Sequence, residues 1–301
     1  EWIVPQGTGR VRFDLIGGAG GATSSFTPSY LAQETDSYLI GGGAGAQLSG
    51  ILKVSEGDML RVWAGNGGVG AASGTRPALG GGGYAQYVCA PYGMVMRMPE
   101  NLSFEQAASL PEAYATCYLN LFYEGHLKQG QTAFIPAGAS GLASVAIPMA
   151  KSFGARVITS VLSDEIAEKI KNLGADVIIN SSKQNVADVL KSEEESGHPV
   201  NMAMDCLCGK ELGESLPYMA EGGYWVIIST LAGTETNIKL RPILTKGLHI
   251  VGSMLRKRSS DEKSQLLQEL TEKLWPKLES GEIKPSVYKV LPIEDATAAH
   301  S

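Results

Sequence analysis

From residue 132 onward the chain alternates short apolar segments with longer amphipathic ones, and this alternation restricts the fold more than any other feature. Apolar runs without interspersed polar residues are typical of parallel strands buried on both faces, and the amphipathic segments between them have helical spacing. The predicted strands cover residues 132–136, 155–160, 176–179, 200–206, 224–229 and 249–251. The sequence therefore predicts an α/β domain over residues 111–251, built as a doubly wound parallel sheet.

A tight turn of small residues joins the first predicted strand to a predicted helix at residues 142–153, and it contains Gly138, Ser140 and Gly141. A helix N-terminus offers free backbone N–H groups, and a pyrophosphate can approach them only where side chains are small. Ala143 stands where a third glycine would allow close packing of helix and strand. The turn predicts a dinucleotide-binding Rossmann domain; the alternative is a structural turn that binds no ligand.

The end of the second predicted strand, where such domains select between NAD and NADP, carries neither an acid nor a base. An acidic side chain there binds the ribose hydroxyls of NAD, whereas a basic one suits the additional phosphate of NADP. Ser160 ends this strand and Ser163 caps the following helix, whose first residues are Asp164 and Glu165. Acids favour a helix N-terminus in any protein. The residues themselves leave the choice between NADH and NADPH open.

The first 83 residues differ in composition from the rest of the chain. More than half of the 37 glycines precede Tyr84, and Lys53 is the only lysine before Lys128. Short alternating segments lie between the glycine runs, as in half-buried strands joined by turns. No helical pattern follows these runs, which disfavours a phosphate-binding role. We expect a smaller glycine-rich all-β domain at residues 1–83, which resembles domains of some extracellular and phage-tail proteins.

The order of predicted elements divides the remainder into three parts. Residues 84–115 hold a connecting strand at 84–91 and the start of a helical segment at 101–119, with Ser103 as N-cap and Gln106 completing a capping box. The nucleotide-binding domain is expected at residues 116–260. Residues 261–301 are expected to form a C-terminal helix with a solvated polar face, followed by a truncated segment that returns toward the first domain.

Composition excludes several classes of partner. The net charge of −6 argues against nucleic acid, because phosphates demand clustered basic side chains. No apolar run approaches the roughly 20 residues that span a bilayer, and the first residues do not resemble a signal peptide. The four cysteines form no disulfide framework, and the spacing of Cys206 and Cys208 does not suit zinc. We expect reduced thiols, a cytoplasmic protein and no metal.

Several motifs occur in a familiar order after residue 81. They include GGYAQYV at 82–88, MPENLS at 98–103, LPEAYATCY at 110–118, AGASGLA at 137–143, LGA at 173–175, GSMLRKR at 252–258 and ESGEIKP at 279–285. This series resembles the medium-chain dehydrogenase/reductase superfamily, in its zinc-free quinone oxidoreductase (zeta-crystallin-like) branch. The resemblance covers residues 82–301. It implies NAD(P)H-dependent hydride transfer to a small quinone or an activated alkene such as an enone, with NADPH slightly preferred over NADH.

The resemblance also implies roles for particular residues, although it identifies no catalytic side chain. The cofactor-binding candidates are Thr116 and the wall residues Leu231 and Met254 at the nicotinamide, Gly138, Ser140, Gly141 and Leu142 at the pyrophosphate, and Ser163 at the adenosine ribose or its phosphate. Each has a structural alternative. Thr116 would then bond only within its helix, Ser163 would be only an N-cap, and the two wall residues would be ordinary core.

Four departures from the family pattern keep other functions open. Residues 1–81 do not resemble the family's GroES-like substrate domain, and the chain stops before the family's last helix and strand. Ile166 replaces a usual lysine and Ser181 a usual tyrosine, which weakens the case for NADPH. The alternatives are a non-catalytic nucleotide-binding or structural module, derived from a truncated or recombined reductase, and a redox-state sensor. The predicted strand at 249–251 resembles the edge through which family members pair, which implies a homodimer.

Overall fold

A computed structural model describes residues 92–292 and 295, together with the backbone of six short strands before residue 61. The chain divides into two compact units, Glu1–Val95 with Leu291–Ser301 and Met96–Val290. The domain boundaries expected after residues 83, 115 and 260 stay predictions.

The six described strands of the first unit pair antiparallel, two by two. The pairs are β1 (Trp2–Ile3) with β6 (Met59–Leu60), β2 (Arg10–Ile16) with β5 (Gln47–Lys53), and β3 (Ser25–Phe26) with β4 (Tyr38–Leu39). These segments agree with the alternating pattern of the sequence, but a complete β domain over residues 1–83 stays a prediction. The strand predicted at 84–91 lies outside the described residues.

Six parallel strands form the sheet of the second unit. They are β7 (Thr132–Ile135), β8 (Arg156–Val161), β9 (Val177–Asn180), β10 (Val200–Asp205), β11 (Met219–Ile227) and β12 (His249–Gly252). Their order across the sheet is β12-β11-β10-β7-β8-β9. The chain runs outward in one direction from β7 and in the other from β10, so the switch point of a doubly wound sheet lies between these two strands. The predicted Rossmann fold is confirmed.

The described part of the chain also contains eight α-helices. They are α1 (Phe104–Ala108), α2 (Pro111–Tyr118), α3 (Ala143–Ser152), α4 (Asp164–Ile170), α5 (Val186–Glu195), α6 (Gly209–Ser215), α7 (Leu240–Lys246) and α8 (Ser260–Glu279). Shorter 3-10 turns cover Tyr92–Met94, Lys171–Leu173, Leu216–Tyr218 and Leu255–Lys257, and a π-helical turn covers Leu119–Glu124. None of these described helices combines the length and the apolar composition needed to cross a membrane.

Three expectations about these elements were wrong. The helical segment predicted at 101–119 is two helices, because Pro111 lacks a backbone N–H and begins α2 at its first turn. The capping box of Ser103 and Gln106 is nevertheless present. Helices α5, α6 and α7 were not predicted; α6 and α7 span only seven residues each, and most residues of α5 are polar. Strand β11 begins at Met219 rather than at residue 224.

The two faces of the sheet are covered by different helices. On one face α5 and α6 contribute apolar side chains to a buried core with the strands; its members include Phe134, Ile158, Val186, Leu190, Ala203, Leu212, Leu216 and Trp225. On the other face α3 packs on β7 and β8, and α2 packs on α3 and α8. Coverage of both faces explains why the strands β7, β8 and β10 are buried along almost their whole length.

A buried carboxylate closes the turn that follows β10. Asp205 is 1% exposed, and its oxygens accept hydrogen bonds from the backbone N–H groups of Leu207 at 2.7 Å and Cys208 at 3.0 Å and from the indole Nε1 of Trp225 at 2.9 Å. Cys208 has a φ of 57° and Gly209 a φ of 62°, a left-handed backbone that non-glycine residues rarely adopt. The three bonds therefore hold an unfavourable backbone in place and anchor it to β11.

We expect Asp205→Ala to lower the free energy of unfolding by about 3 kcal/mol or more, because it leaves buried donors without an acceptor. Trp225→Phe keeps most of the ring packing and removes one donor, so its cost is expected to be about 1–2 kcal/mol. Urea unfolding followed by circular dichroism measures both variants against the unmodified chain. Equal stability of Asp205→Ala and the unmodified chain would contradict this role of the carboxylate.

Candidate dinucleotide site

The site residues expected from the sequence lie mostly at one edge of the second unit's sheet. All six strands are parallel, so their carboxyl ends meet at this edge, which is where open α/β sheets bind ligands. Residues 137–142, called the phosphate turn below, follow β7 at the switch point. Ser163 follows β8, while Leu231 and Met254 follow β11 and β12.

Internal hydrogen bonds fix the shape of the phosphate turn. The N–H of Gly138 donates to the carbonyl of Ser160 at 2.8 Å, which ties the turn to the end of β8. The N–H of Ser140 donates to the carbonyl of Ala137 at 2.8 Å, and the Ser140 hydroxyl oxygen accepts from the N–H of Ala143 at 3.2 Å. The amide of Ser140, which was expected to serve a ligand, is therefore used within the turn, and its hydroxyl hydrogen is left to donate.

Of the N–H groups that follow Gly138 in the turn, three have no acceptor among the described residues: those of Ala139, Gly141 and Leu142. Ala139 and Gly141 are exposed and Leu142 is half-buried, so these donors face solvent-accessible space. Helix α3 begins at the next residue, and its dipole adds positive potential at the same place. The turn thus fits an anionic group such as a pyrophosphate.

The two glycines of the phosphate turn are needed for different reasons. A Cβ at Gly138 would lie 2.4 Å from Oγ1 of Thr159 and 2.8 Å from Cδ1 of Ile170. Thr159 cannot easily move away, because its hydroxyl donates to the carbonyl of Ile135 at 2.6 Å. A Cβ at Gly141 would meet no described atom within 4 Å. Gly138 serves the packing of the turn on β8, whereas the fold itself does not require Gly141.

A lysine lies beside the residues that follow β8, although the sequence pattern did not indicate it. The Nζ of Lys183 is ion-paired with the carboxylate of Asp164, which also accepts from Nδ2 of Asn180 at 2.5 Å. These bonds, that of Lys183 first, lower the pKa of Asp164. Ser163 caps α4 by accepting the N–H of Ile166 at 3.2 Å. Because β8 and β9 are neighbouring parallel strands, the residues that follow them lie side by side. The pairing of β8 with β9 is therefore the feature from which a role for Lys183 could have been predicted.

Thr116 lies half-buried on α2, a helix that contacts the phosphate turn. The thiol of Cys117 donates to the carbonyl of Leu142 at 3.5 Å, which links the two segments. The hydroxyl of Thr116 donates to Oε1 of Glu112 at 3.5 Å. The hydrogen bond within the helix, which was the structural alternative, is therefore present, although it is long. Thr116 thus makes a hydrogen bond within α2, and the residue next to it contacts the phosphate turn.

Leu231 and Met254 leave apolar surface at the carboxyl ends of β11 and β12. Their side chains are 76% and 53% exposed, so the alternative that they are ordinary core residues is wrong. The loop that carries Leu231 is held to the edge by its N–H, which donates to the carbonyl of Cys206 at 3.1 Å. Exposed apolar side chains at the same sheet edge as an anion site are typical of a binding crevice.

The thiols near this edge are free. Cys206 and Cys208 form no disulfide, and burial raises the pKa of Cys208 to about 12 and also raises that of Cys206. Such thiols are protonated at neutral pH and are poor nucleophiles. In the described part of the chain, no group of three or more His, Cys, Asp or Glu side chains is arranged to hold a metal ion.

Comparison with known sequences identifies relatives of this part of the chain. The model of a family described as zinc-binding dehydrogenase matches residues 141–272. A quinone oxidoreductase-like protein 2 homolog of Nematostella vectensis is 32% identical over 206 residues, which cover 68% of this chain and 55% of that protein. A quinone oxidoreductase of Sus scrofa is 29% identical over 220 residues, which cover 73% of this chain and 64% of that protein. The chain thus spans between 55% and 64% of these relatives' lengths.

Solved structures agree with the sequence comparison. A quinone oxidoreductase of Pseudomonas syringae is 27% identical with a TM-score of 0.62, over 73% of this chain and 67% of that one. An Escherichia coli quinone oxidoreductase complexed with NADPH is 27% identical with a TM-score of 0.58, over 68% of this chain and 63% of that one. Through the matched part of its length, the chain belongs to the medium-chain dehydrogenase/reductase superfamily, in its quinone oxidoreductase-like branch.

Proposed function

We propose that the chain binds NADPH at the carboxyl edge of its parallel sheet and transfers a hydride to a quinone or an activated alkene. The observation that carries this proposal is the phosphate turn, with three unpaired N–H donors at the start of a helix and open space at Gly141. The NADPH complex of the Escherichia coli relative supports the cofactor class, and the names of the relatives support a quinone as acceptor.

The phosphate turn has the task of binding and orienting the dinucleotide. The N–H groups of Ala139, Gly141 and Leu142 donate to pyrophosphate oxygens, and the dipole of α3 favours their negative charge. The hydroxyl of Ser140 supplies a further donor. Because the turn is tied to β8 through Gly138, these donors are fixed before the ligand arrives, which lowers the entropic cost of binding.

The nicotinamide side needs an apolar, water-poor surface. A reduced nicotinamide supplies the hydride. Leu231 and Met254 offer exposed apolar surface against which a bound ring would be shielded from water, and Thr116 would face the ring from α2. Hydride transfer depends on positioning and exclusion of water, so this proposal requires no catalytic acid or base.

The ribose side bears on the choice between NADPH and NADH. A 2′-phosphate would compete with Asp164 for the ammonium group of Lys183, with Ser163 beside it as a hydroxyl donor. Ile166 and Ser181 replace the lysine and tyrosine usual in the family, so Lys183 is the residue on which a preference for NADPH depends. The cytoplasmic location stays a prediction of the sequence.

The first test is a fluorescence titration with NADPH and NADH, followed by addition of a soluble benzoquinone to the same sample. We expect binding of NADPH and its oxidation only when both protein and quinone are present. Binding without oxidation would contradict the reductase and favour a nucleotide-binding module or sensor. Absence of binding would contradict the whole proposal.

Two glycine variants make this test specific to the phosphate turn. Gly141→Ala is expected to weaken NADPH binding at least about tenfold without loss of stability, because its Cβ enters ligand space and meets no protein atom. Gly138→Ala is the contrasting variant, because its effect is expected on the fold: its clash with Thr159 should cost about 1–3 kcal/mol of stability. Unchanged NADPH affinity of Gly141→Ala would place the ligand elsewhere.

We also propose a homodimer that forms through β12. This strand bonds only to β11 among the described strands, so its outer N–H and C=O groups offer an edge for pairing with a second copy. Ile250 on the strand is 40% exposed, and Leu240 and Leu244 on the preceding helix α7 are also exposed. Apolar side chains beside a free sheet edge favour association.

Sedimentation velocity is expected to give twice the chain mass of 31.8 kDa. Ile250→Lys is expected to shift the protein to monomer, because the introduced charges would face each other across the edge. Asn172→Lys, in the exposed turn Lys171–Leu173 on the side of the opposite edge strand β9, introduces the same charge away from β12 and is expected to leave the dimer intact. A monomeric unmodified chain, or a dimeric Ile250→Lys variant, would contradict this interface.

A further inference from the structure

A cleft of about 300 Å³ lies between the segment that follows β9 and the segment that follows β10. Val186, Leu207 and Ala232 contribute apolar groups to its lining, and Gln184 and Glu211 contribute polar ones. Ser181, Asn185, Lys210, Glu214 and Ser215 add further polar groups, so the lining is mixed, as suits a flat ring that carries polar atoms at its edge.

The position of the cleft in the sheet relates it to the proposed cofactor site. Strands β7 and β8 lie between β9 and β10, so the walls of the cleft flank the ends of the two strands that carry the phosphate turn and Ser163. A dinucleotide whose pyrophosphate lies at the phosphate turn places its adenosine ribose at the end of β8. The adenine ring attached to that ribose then lies on the side of the sheet edge where the cleft opens.

Among the charged side chains that line the cleft, Glu211 on α6 is the one without a partner in the described part of the chain; the neutral side chains of Gln184 and Ser215 also make no hydrogen bond there. Glu211 is half-buried and forms no hydrogen bond and no ion pair within the described residues. The adjacent Lys210 is paired with Glu214 at 3.3 Å. Burial, and secondarily the charge of Asp205, raise the pKa of Glu211 to about 7. A half-buried carboxyl without a partner is unfavourable in the free protein, and a ligand that donates a hydrogen bond would relieve this cost.

We propose that the cleft holds the adenine ring and that the Glu211 carboxylate accepts a hydrogen bond from its exocyclic amino group, an inference that rests on the proposed function. An ionised carboxylate can only accept, and the amino group of adenine can donate. Hypoxanthine carries an oxygen at the same ring position, which is an acceptor and is repelled. Glu211 is therefore a specificity-determining residue for the adenine base.

The test compares NADPH with its hypoxanthine counterpart by nicotinamide fluorescence at about pH 8, above the pKa of about 7. The unmodified chain is expected to bind the adenine form at least about tenfold more tightly, because a site built around a hydrogen bond rejects an analogue that cannot make it. In Glu211→Gln this ratio is expected to fall to about one, since the amide can donate to the hypoxanthine oxygen. Glu214→Gln removes the same charge from the same helix and is expected to keep the ratio.

The outcomes separate this inference from the proposed function. Tight binding of both forms by the unmodified chain overturns the role of Glu211 and leaves the proposed cofactor site standing. A ratio that Glu211→Gln does not change also overturns it. If neither form binds to the unmodified chain, the proposed function and this inference both fail. If Glu211→Gln does not fold, the ratio measured on the unmodified chain at about pH 6, below the pKa of about 7, replaces it: a protonated carboxyl can donate to the hypoxanthine oxygen, so the ratio is expected to fall, and an unchanged ratio overturns the role of Glu211.

Discussion

Close packing of the phosphate turn on β8 is the constraint on which the rest of the site depends. Gly138 lies so near Thr159 that no side chain fits, and its N–H is bonded to the carbonyl of Ser160. The turn is therefore pressed against the neighbouring strand, and the N–H groups of the residues that follow have no strand or helix partner. The same contact that stabilises the α/β fold thus creates a set of oriented donors.

The carboxyl edge of the sheet combines groups that suit different parts of one ligand. Neutral N–H donors lie at the switch point, the Lys183–Asp164 pair lies beyond β8, the unpartnered carboxyl of Glu211 lines a cleft, and exposed Leu231 follows β11. Apart from Glu211, which lines the cleft proposed for the adenine ring, none of these groups is a conspicuous acid or base for chemistry. An edge of this kind is better suited to binding and orienting a cofactor than to proton transfer, which agrees with hydride transfer as the proposed reaction.

The sequence predicted the parts of this arrangement that are local along the chain. All six strands of the sheet and the phosphate turn were found, because apolar runs and small residues carry their signal within a few positions. Helices α6 and α7 were missed because each spans only seven residues, and α5 was missed because most of its residues are polar. Lys183 and Glu211 were missed for a different reason. Their surroundings are set by segments that follow other strands, and only the order of strands in the sheet brings those segments together.

Amide hydrogen exchange, resolved by residue with and without saturating NADPH, tests the central claim most directly. The account predicts slower exchange at Ala139, Gly141 and Leu142, whose N–H groups lack acceptors in the free protein. The amide of Ser140 is an internal control, because it is already bonded to the carbonyl of Ala137 and should change little. Bound NADPH that leaves all three free amides unprotected would contradict the claim that the phosphate turn holds the cofactor.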